Sequence, residues 1–250
     1  MKFKLSLILL LTCFISFNCK KYFEAAAPNN FSGTTYNYLG TWNTNGVPNY
    51  LVTPSDTVSA AETNFINSTL PEGHSAVTAH PELFSASSSQ ANLNLTQKST
   101  VYISFVHDGS GNNNVIGFFT YPTANPPTAA NQLGGVTIIF PSAKSSGTNG
   151  FLPLGSKVKI GTFNAGTSIG FILLQSGWNP TTSTVNTSDL HFATIDALNP
   201  ETDPTLQRHA ILLNYQGKTL VCFEDSNRQS TGTDSDFNDV IVAATIVPAP

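Results

Sequence analysis

Five of the chain's fifteen carboxylates fall in one stretch near the C-terminus, LVCFEDSNRQSTGTDSDFNDVIV at 220–242. They are Glu224, Asp225, Asp234, Asp236 and Asp239, and within the stretch only Arg228 opposes them. Apolar runs at 219–223 and 239–247 predict two flanking strands, so the chain should bring Glu224 and Asp225 back toward 234–239. Asp234, Asp236 and Asn238 are spaced i, i+2, i+4, and a turn there would aim three side-chain oxygens at one centre. Bare carboxylates crowded in this way raise one another's pKa values. A hard cation removes that penalty, and calcium accepts about six to eight oxygens from carboxylate, amide and carbonyl groups at about 2.3–2.6 Å. Magnesium demands a stricter octahedron, and zinc prefers the His and Cys that the loop lacks. The expected calcium ligands are Asp234, Asp236 and Asp239, joined by the amide oxygen of Asn238. Glu224 and Asp225 would approach from the opposite strand, unless one of them caps loop amides instead. Asp, Asn, Ser and Gly are also good turn formers, so plain Asx-turn chemistry is the competing account. Neither an EF-hand nor a glycosidase pair fits. The sixth-position glycine and late Glu of the first are missing, and the acids bunch in one loop where the second needs two held apart. Phe237, between oxygen-bearing neighbours, is expected to turn into the core and fix the loop.

The loop HDGSGNNN at 107–114 is the second concentration of polar oxygens, read first as a tight turn, with Asp108 a further candidate for a cation. Histidines 74, 80, 107, 191 and 209 are scattered, which argues against zinc, and His209 is expected to be an ordinary strand-edge residue. The chain has no G-x-S-x-G, G-x-x-x-x-G-K or G-x-G-x-x-G, so no enzyme activity and no nucleotide partner is expected. Trp42 and Trp178 could form an aromatic platform for a glycan, although core or sheet-edge positions suit them better.

The elements that must position these residues are mostly strands. About ten short alternating segments between 90 and 248, separated by Gly, Asn, Pro and Ser, predict an all-β antiparallel β-sandwich of jelly-roll type. In TVYISFVHD, Val101, Ile103 and Phe105 share one face and Tyr102, Ser104 and Val106 the other. One short N-terminal helix is expected within 54–73, capped by Ser55 or Asp56, with Val58, Ala61, Phe65 and Ile66 near one face. Residues 36–97 are expected to pack on a sandwich formed by 98–250. Cys222, inside LVCF, reads as a small buried hydrophobe.

The N-terminus carries a different signal. MKFK is followed by an apolar run of about 13 residues, too short to span a bilayer and suited to a signal peptide, residues 1–18. The run ends at ISFNC followed by Lys20 and Lys21, the arrangement of a bacterial lipoprotein in which Cys19 is acylated and becomes the N-terminus. It resembles lipoproteins of the Bacteroidetes, which often read SCKK here, although Asn18 stands where a small residue is usual. Residues 19–35 then read as a tether. The expected location is the bacterial outer membrane, on its periplasmic or surface face, held by the lipid anchor. Without the leader, 9 Lys and Arg face 15 Asp and Glu. That balance excludes nucleic acid as a partner. A glycan or a surface protein remains the expected class.

CFED at 222–225 and DSDFNDVIV at 234–242 resemble the LruC-type domain of bacterial surface lipoproteins and the related domain of unknown function 4114. Similar segments occur at 101–127, 136–178 and 191–201. The resemblance implies an extracytoplasmic all-β module whose acidic hairpin holds calcium, with no catalytic residues to carry over. Cys222 departs from the usual glycine. A structural or binding role follows, with carbohydrate binding or adhesion as the alternative and an unrecognised hydrolase behind both.

Overall fold

The computed structural model describes residues 31–85 and 90–250, in which the alternating segments form two large sheets and a small hairpin. Strands are numbered in chain order. The first sheet runs β1 (Tyr36–Tyr38), β5 (Val136–Phe140), β4 (Val115–Pro122), β7 (Thr167–Leu174), β10 (His191–Ala193), with β2 (Leu93–Asn94) also on β7. The second runs β11 (Ala210–Tyr215), β12 (Lys218–Phe223), β13 (Val240–Pro248), β3 (Ser99–Asp108), β6 (Lys157–Phe163). β8 (Trp178–Asn179) and β9 (Thr184–Val185) form the hairpin. Pairing is antiparallel throughout, apart from β1, which lies parallel on β5. The fold is therefore the expected all-β sandwich.

Its core lies between the sheets, where Val101, Ile103 and Phe105 of β3 meet Ile116 of β4 and Phe171 and Leu173 of β7. Val106 faces the other way, as the alternation predicts. Because both sheets are apolar on their outer faces too, each needs a cover. Phe31, Trp178 and Leu198 lie over the first sheet. The second is covered by helix α1 (Ala60–Thr69), whose Ile66, with the capping Leu70, packs on Ile211, Leu220, Cys222 and Ile241. Burial pushes the Cys222 thiol pKa up, as befits a packing residue.

α1 starts four residues or so later than expected. Its cap is Ser59, whose Oγ accepts from the Glu62 amide at 3.1 Å. Neither Ser55 nor Asp56 caps it, and the Asp56 carboxylate instead takes Lys157 Nζ at 2.6 Å. Ala61 is exposed and Glu62 is buried in its stead, because the Glu62 carboxylate meets Lys218 Nζ at 2.9 Å at the β11–β12 turn. The helix ends at Leu70, whose backbone leaves the helical region (φ −126°, ψ 71°) just before Pro71. A short helix, α2 (Ala76–Ala79), follows.

One further difference concerns the N-terminal part of the described chain. Phe31, assigned to the tether, is buried and stacks on the His191 ring with centroids 4.3 Å apart. Cys19 and the leader lie outside the described residues.

Candidate functional site

β12 delivers Glu224 and Asp225 at its end, and β13 begins just after Asp239, so the pairing Phe223↔Val240 sets the three acids side by side. Glu224, Asp225 and Asp239 each offer a carboxylate oxygen, and these oxygens lie within 4.8 Å of one another. A second group with the same spacing joins Asp234 and Asp236 to Glu72, from the loop after α1. The single centre expected from the sequence is thus divided in two. Glu72, more than 150 positions from its partners, had no local signal.

The turn between the groups is tightly determined. Ser235 and Phe237 both take left-handed backbone, φ 55° and 61°, an unusual state for a bulky residue. Burial of the Phe237 ring, edge-on to Phe84 at 4.9 Å, holds it there, and this is the core peg the sequence predicts. Asp236 then sits buried, with Oδ2 accepting from the Gly73 amide at 2.9 Å and Oδ1 from the Asn238 amide at 3.2 Å. Gly73 has φ 68°, which glycine adopts without strain. Ala76 N–H donates to the Ser235 carbonyl at 2.9 Å, a second tie between the helical segment and the acidic turn.

The loop after β3 forms the remaining wall. β3 carries a bulge opposite β13: Phe105 pairs with Val242 and His107 with Ile241, so Val106 is the extra residue. A one-residue insertion reverses the faces beyond it. Asp108 therefore pairs with Val240, and its Oδ2 accepts from the Ser145 amide at 2.7 Å and the Ser146 amide at 3.2 Å, while Oδ1 is buried without a partner. Beyond it, Gly109 and Ser110 amides both donate to the Asp239 carbonyl. Ser110 Oγ, Asn112 Nδ2 and Asn114 Nδ2 all donate to one oxygen of Asp225, the last two at 3.0 and 2.6 Å. What reads as a turn in sequence is a cradle for that carboxylate. Amide capping falls not to Glu224 or Asp225 but to Asp239, whose Oδ2 takes the Asp225 N–H at 2.8 Å, and to Asp236.

Among the described residues no lysine or arginine forms an ion pair with any of these acids. Arg228, the one cation of the segment, is turned away. Its guanidinium reaches Ser235 Oγ at 3.2 Å and the Leu206 and Arg208 carbonyls, and lies 5.4 Å from the Phe237 ring centroid. Burial and the neighbouring Asp234, Asp236 and Asp225 charges push the Glu224 carboxyl up to about 7. Burial and the Asp225 and Glu224 charges push Asp239 up to about 9. Asp236 is also raised, by burial first. The two groups therefore feel each other. Glu224 Oε2 and Asn238 Oδ1 are buried with no hydrogen-bond partner.

His209 directly precedes β11, the outermost strand of the second sheet, but it is not exposed there. It is fully buried, stacks on Phe192 at 4.0 Å, and shares a 2.9 Å contact through Nε2 with Glu201 Oε1. Trp178 is buried at 2% exposure, whereas Trp42 is half-buried beside exposed Tyr38, their rings 5.1 Å apart.

Carboxyls raised in the fold make the folded state bind more protons than the unfolded chain, where they titrate near ~4. Stability of the cation-free protein must then fall as pH rises from about 4 through 7 for Glu224 and on toward 9 for Asp239. Melting in chelator should drop by several degrees between pH 5 and pH 8, at about 2–4 °C per kcal/mol for this size. A flat or rising melting temperature over that interval contradicts the account.

No curated protein and no solved structure matches the chain. Residues 163–246 match the family described as Domain of unknown function (DUF4114). That stretch, from the last residue of β6 into β13, carries every acid of the two groups except Glu72, and it is related to the DUF4114 family.

Proposed function

We propose that this chain is an exported LruC-type lipoprotein module without catalytic activity, stabilised by calcium and serving a structural or binding role. The observation that carries the reading is the largely buried group Glu224, Asp225 and Asp239, close-set, with no lysine or arginine ion-paired to it among the described residues and with Glu224 Oε2 left unpartnered. Its donors are all oxygens, as calcium prefers, and neither group contains histidine or cysteine. An ion there would replace carboxylate repulsion with coordination, and would stabilise the folded state only, by mass action.

Calorimetric titration of the full chain in detergent with calcium chloride, alongside thermal melts, tests this. Saturable heat and a raised melting temperature are expected. The double variant Glu224→Gln, Asp239→Asn should lose the ion at this group. It should also melt higher than the parent in chelator, because the repulsion is gone. Absence of heat and of any shift at millimolar calcium sinks the proposal.

The leader and Cys19 support export and lipid anchoring at the outer membrane, on the periplasmic or surface face. In a bacterial host, metabolic labelling with an alkyne fatty acid should mark the chain, and Cys19→Ala should abolish the label. A label that survives that substitution refutes the anchor.

Carbohydrate binding is the second reading, favoured by Tyr38 and Trp42. With Gly40 and Thr41 they line an open pocket of about 390 Å³. Trp42 Nε1 is fixed on the Ser183 carbonyl at 3.0 Å, so the ring is set in advance. Such a face suits the apolar side of a neutral sugar. A panel of neutral oligosaccharides should then give binding that Trp42→Ala removes; a panel without any binder eliminates this role.

A further inference from the structure

The Glu72 group differs from an ordinary surface cluster in one respect. Asn238 is 3% exposed, and its Oδ1 is buried without a partner. The orientation of the amide is fixed, because Nδ2 donates to the Leu70 carbonyl at 3.1 Å and a carbonyl can only accept. Oδ1 must therefore point the other way. It does so toward Glu72: a β-carbon at position 109 would lie 2.6 Å from Asn238 Oδ1 and 3.3 Å from Glu72 Oε2, so both oxygens border the one space that Gly109 leaves open. A buried amide oxygen left unpaired carries a desolvation penalty. A cation beside it removes that penalty.

The other donors are arranged to match. Glu72, Asp234 and Asp236 each place an oxygen within 4.8 Å of the others. Asp236 already accepts one amide on each oxygen, from Gly73 and from Asn238, which fixes its carboxylate and leaves lone pairs available. Glu72 and Asp234 are exposed, which gives the ion a route in and room for water ligands.

We propose that Glu72, Asp234, Asp236 and Asn238 form a second calcium site, distinct from the Glu224, Asp225 and Asp239 site, whose ion clamps the helical segment onto the acidic hairpin. The clamp rests on the calcium reading of the hairpin but is separable from it. Glu72 lies outside the stretch related to DUF4114. Several protein oxygens in an irregular arrangement select calcium over magnesium, which demands a near-ideal octahedron and keeps most of its water.

The test is calcium chloride titration of the full chain in detergent, with magnesium chloride as control, read by calorimetry and by hydrogen exchange of amides 60–76. The parent should bind two calcium ions, and calcium should slow exchange across α1 and Gly73. Glu72→Gln, an exposed position that should not disturb folding, should bind one ion, with affinity at the outer group reduced about tenfold or more. Calcium should no longer protect 60–76 in that variant. Glu224→Gln with Asp239→Asn should keep the outer ion and its protection. A parent that binds one ion, lost in that double variant and unaffected by Glu72→Gln, overturns the clamp and leaves the inner site standing. A parent that binds none overturns both. Magnesium binding equal to calcium overturns the assignment of the ion.

Discussion

Like charges brought together in a poorly solvated place are the constraint around which this structure is arranged. Glu224, Asp225 and Asp239 meet where β12 and β13 converge, and Asp234, Asp236 and Glu72 meet one turn away. Side chains that could neutralise them are otherwise engaged: Arg228 on carbonyls and on Phe237, Lys144 on the Ser110 carbonyl, Lys218 on Glu62. The polar groups that do reach the acids are uncharged. Ser110, Asn112 and Asn114 hold Asp225, and backbone amides hold Asp236 and Asp239. Neutral donors orient a carboxylate without cancelling its charge, so the fold fixes the oxygens and leaves their charge unbalanced.

Much of this was legible in the sequence because it depends on local periodicity. Alternation in TVYISFVHD placed Val101, Ile103 and Phe105 inside, and the D-x-D-F-N-D spacing placed Phe237 in the core with acids around it. What was not legible depends on long-range pairing. The bulge at Val106 appears only when β3 is laid against β13, and it redirects Asp108. Glu72 follows a helix stop, P-E-G, that says nothing of the hairpin it meets. The division of the acids into two groups follows from left-handed backbone at Ser235 and Phe237, residues whose type does not announce it. His209 looked like an edge residue because its buried partner, Glu201, lies across a loop.

The helical segment shows how such distant pieces become one unit. A ten-residue helix is marginal in isolation, and α1 shows only a narrow buried stripe. Ile66 and Leu70 on the outer face of the second sheet, Glu62 on Lys218, and the Gly73 and Ala76 amides on the hairpin supply what the local sequence lacks. Phe237 is common to both sides, lying under α1 and in the acidic turn. Its burial alone contributes about 1.5–3 kcal/mol. Loss of order in the turn would therefore be felt in the helix.

The stacking of Phe31 on His191 sets the geometry where the described chain begins. Only twelve positions separate Cys19 from Phe31, and a chain that long spans at most about 40 Å when fully drawn out. With an acyl group on Cys19, as proposed, the sandwich would hang on a leash about as long as a folded unit of this size is wide. It could not leave the layer next to the lipid headgroups. Anything it holds would have to come to the bilayer to be met.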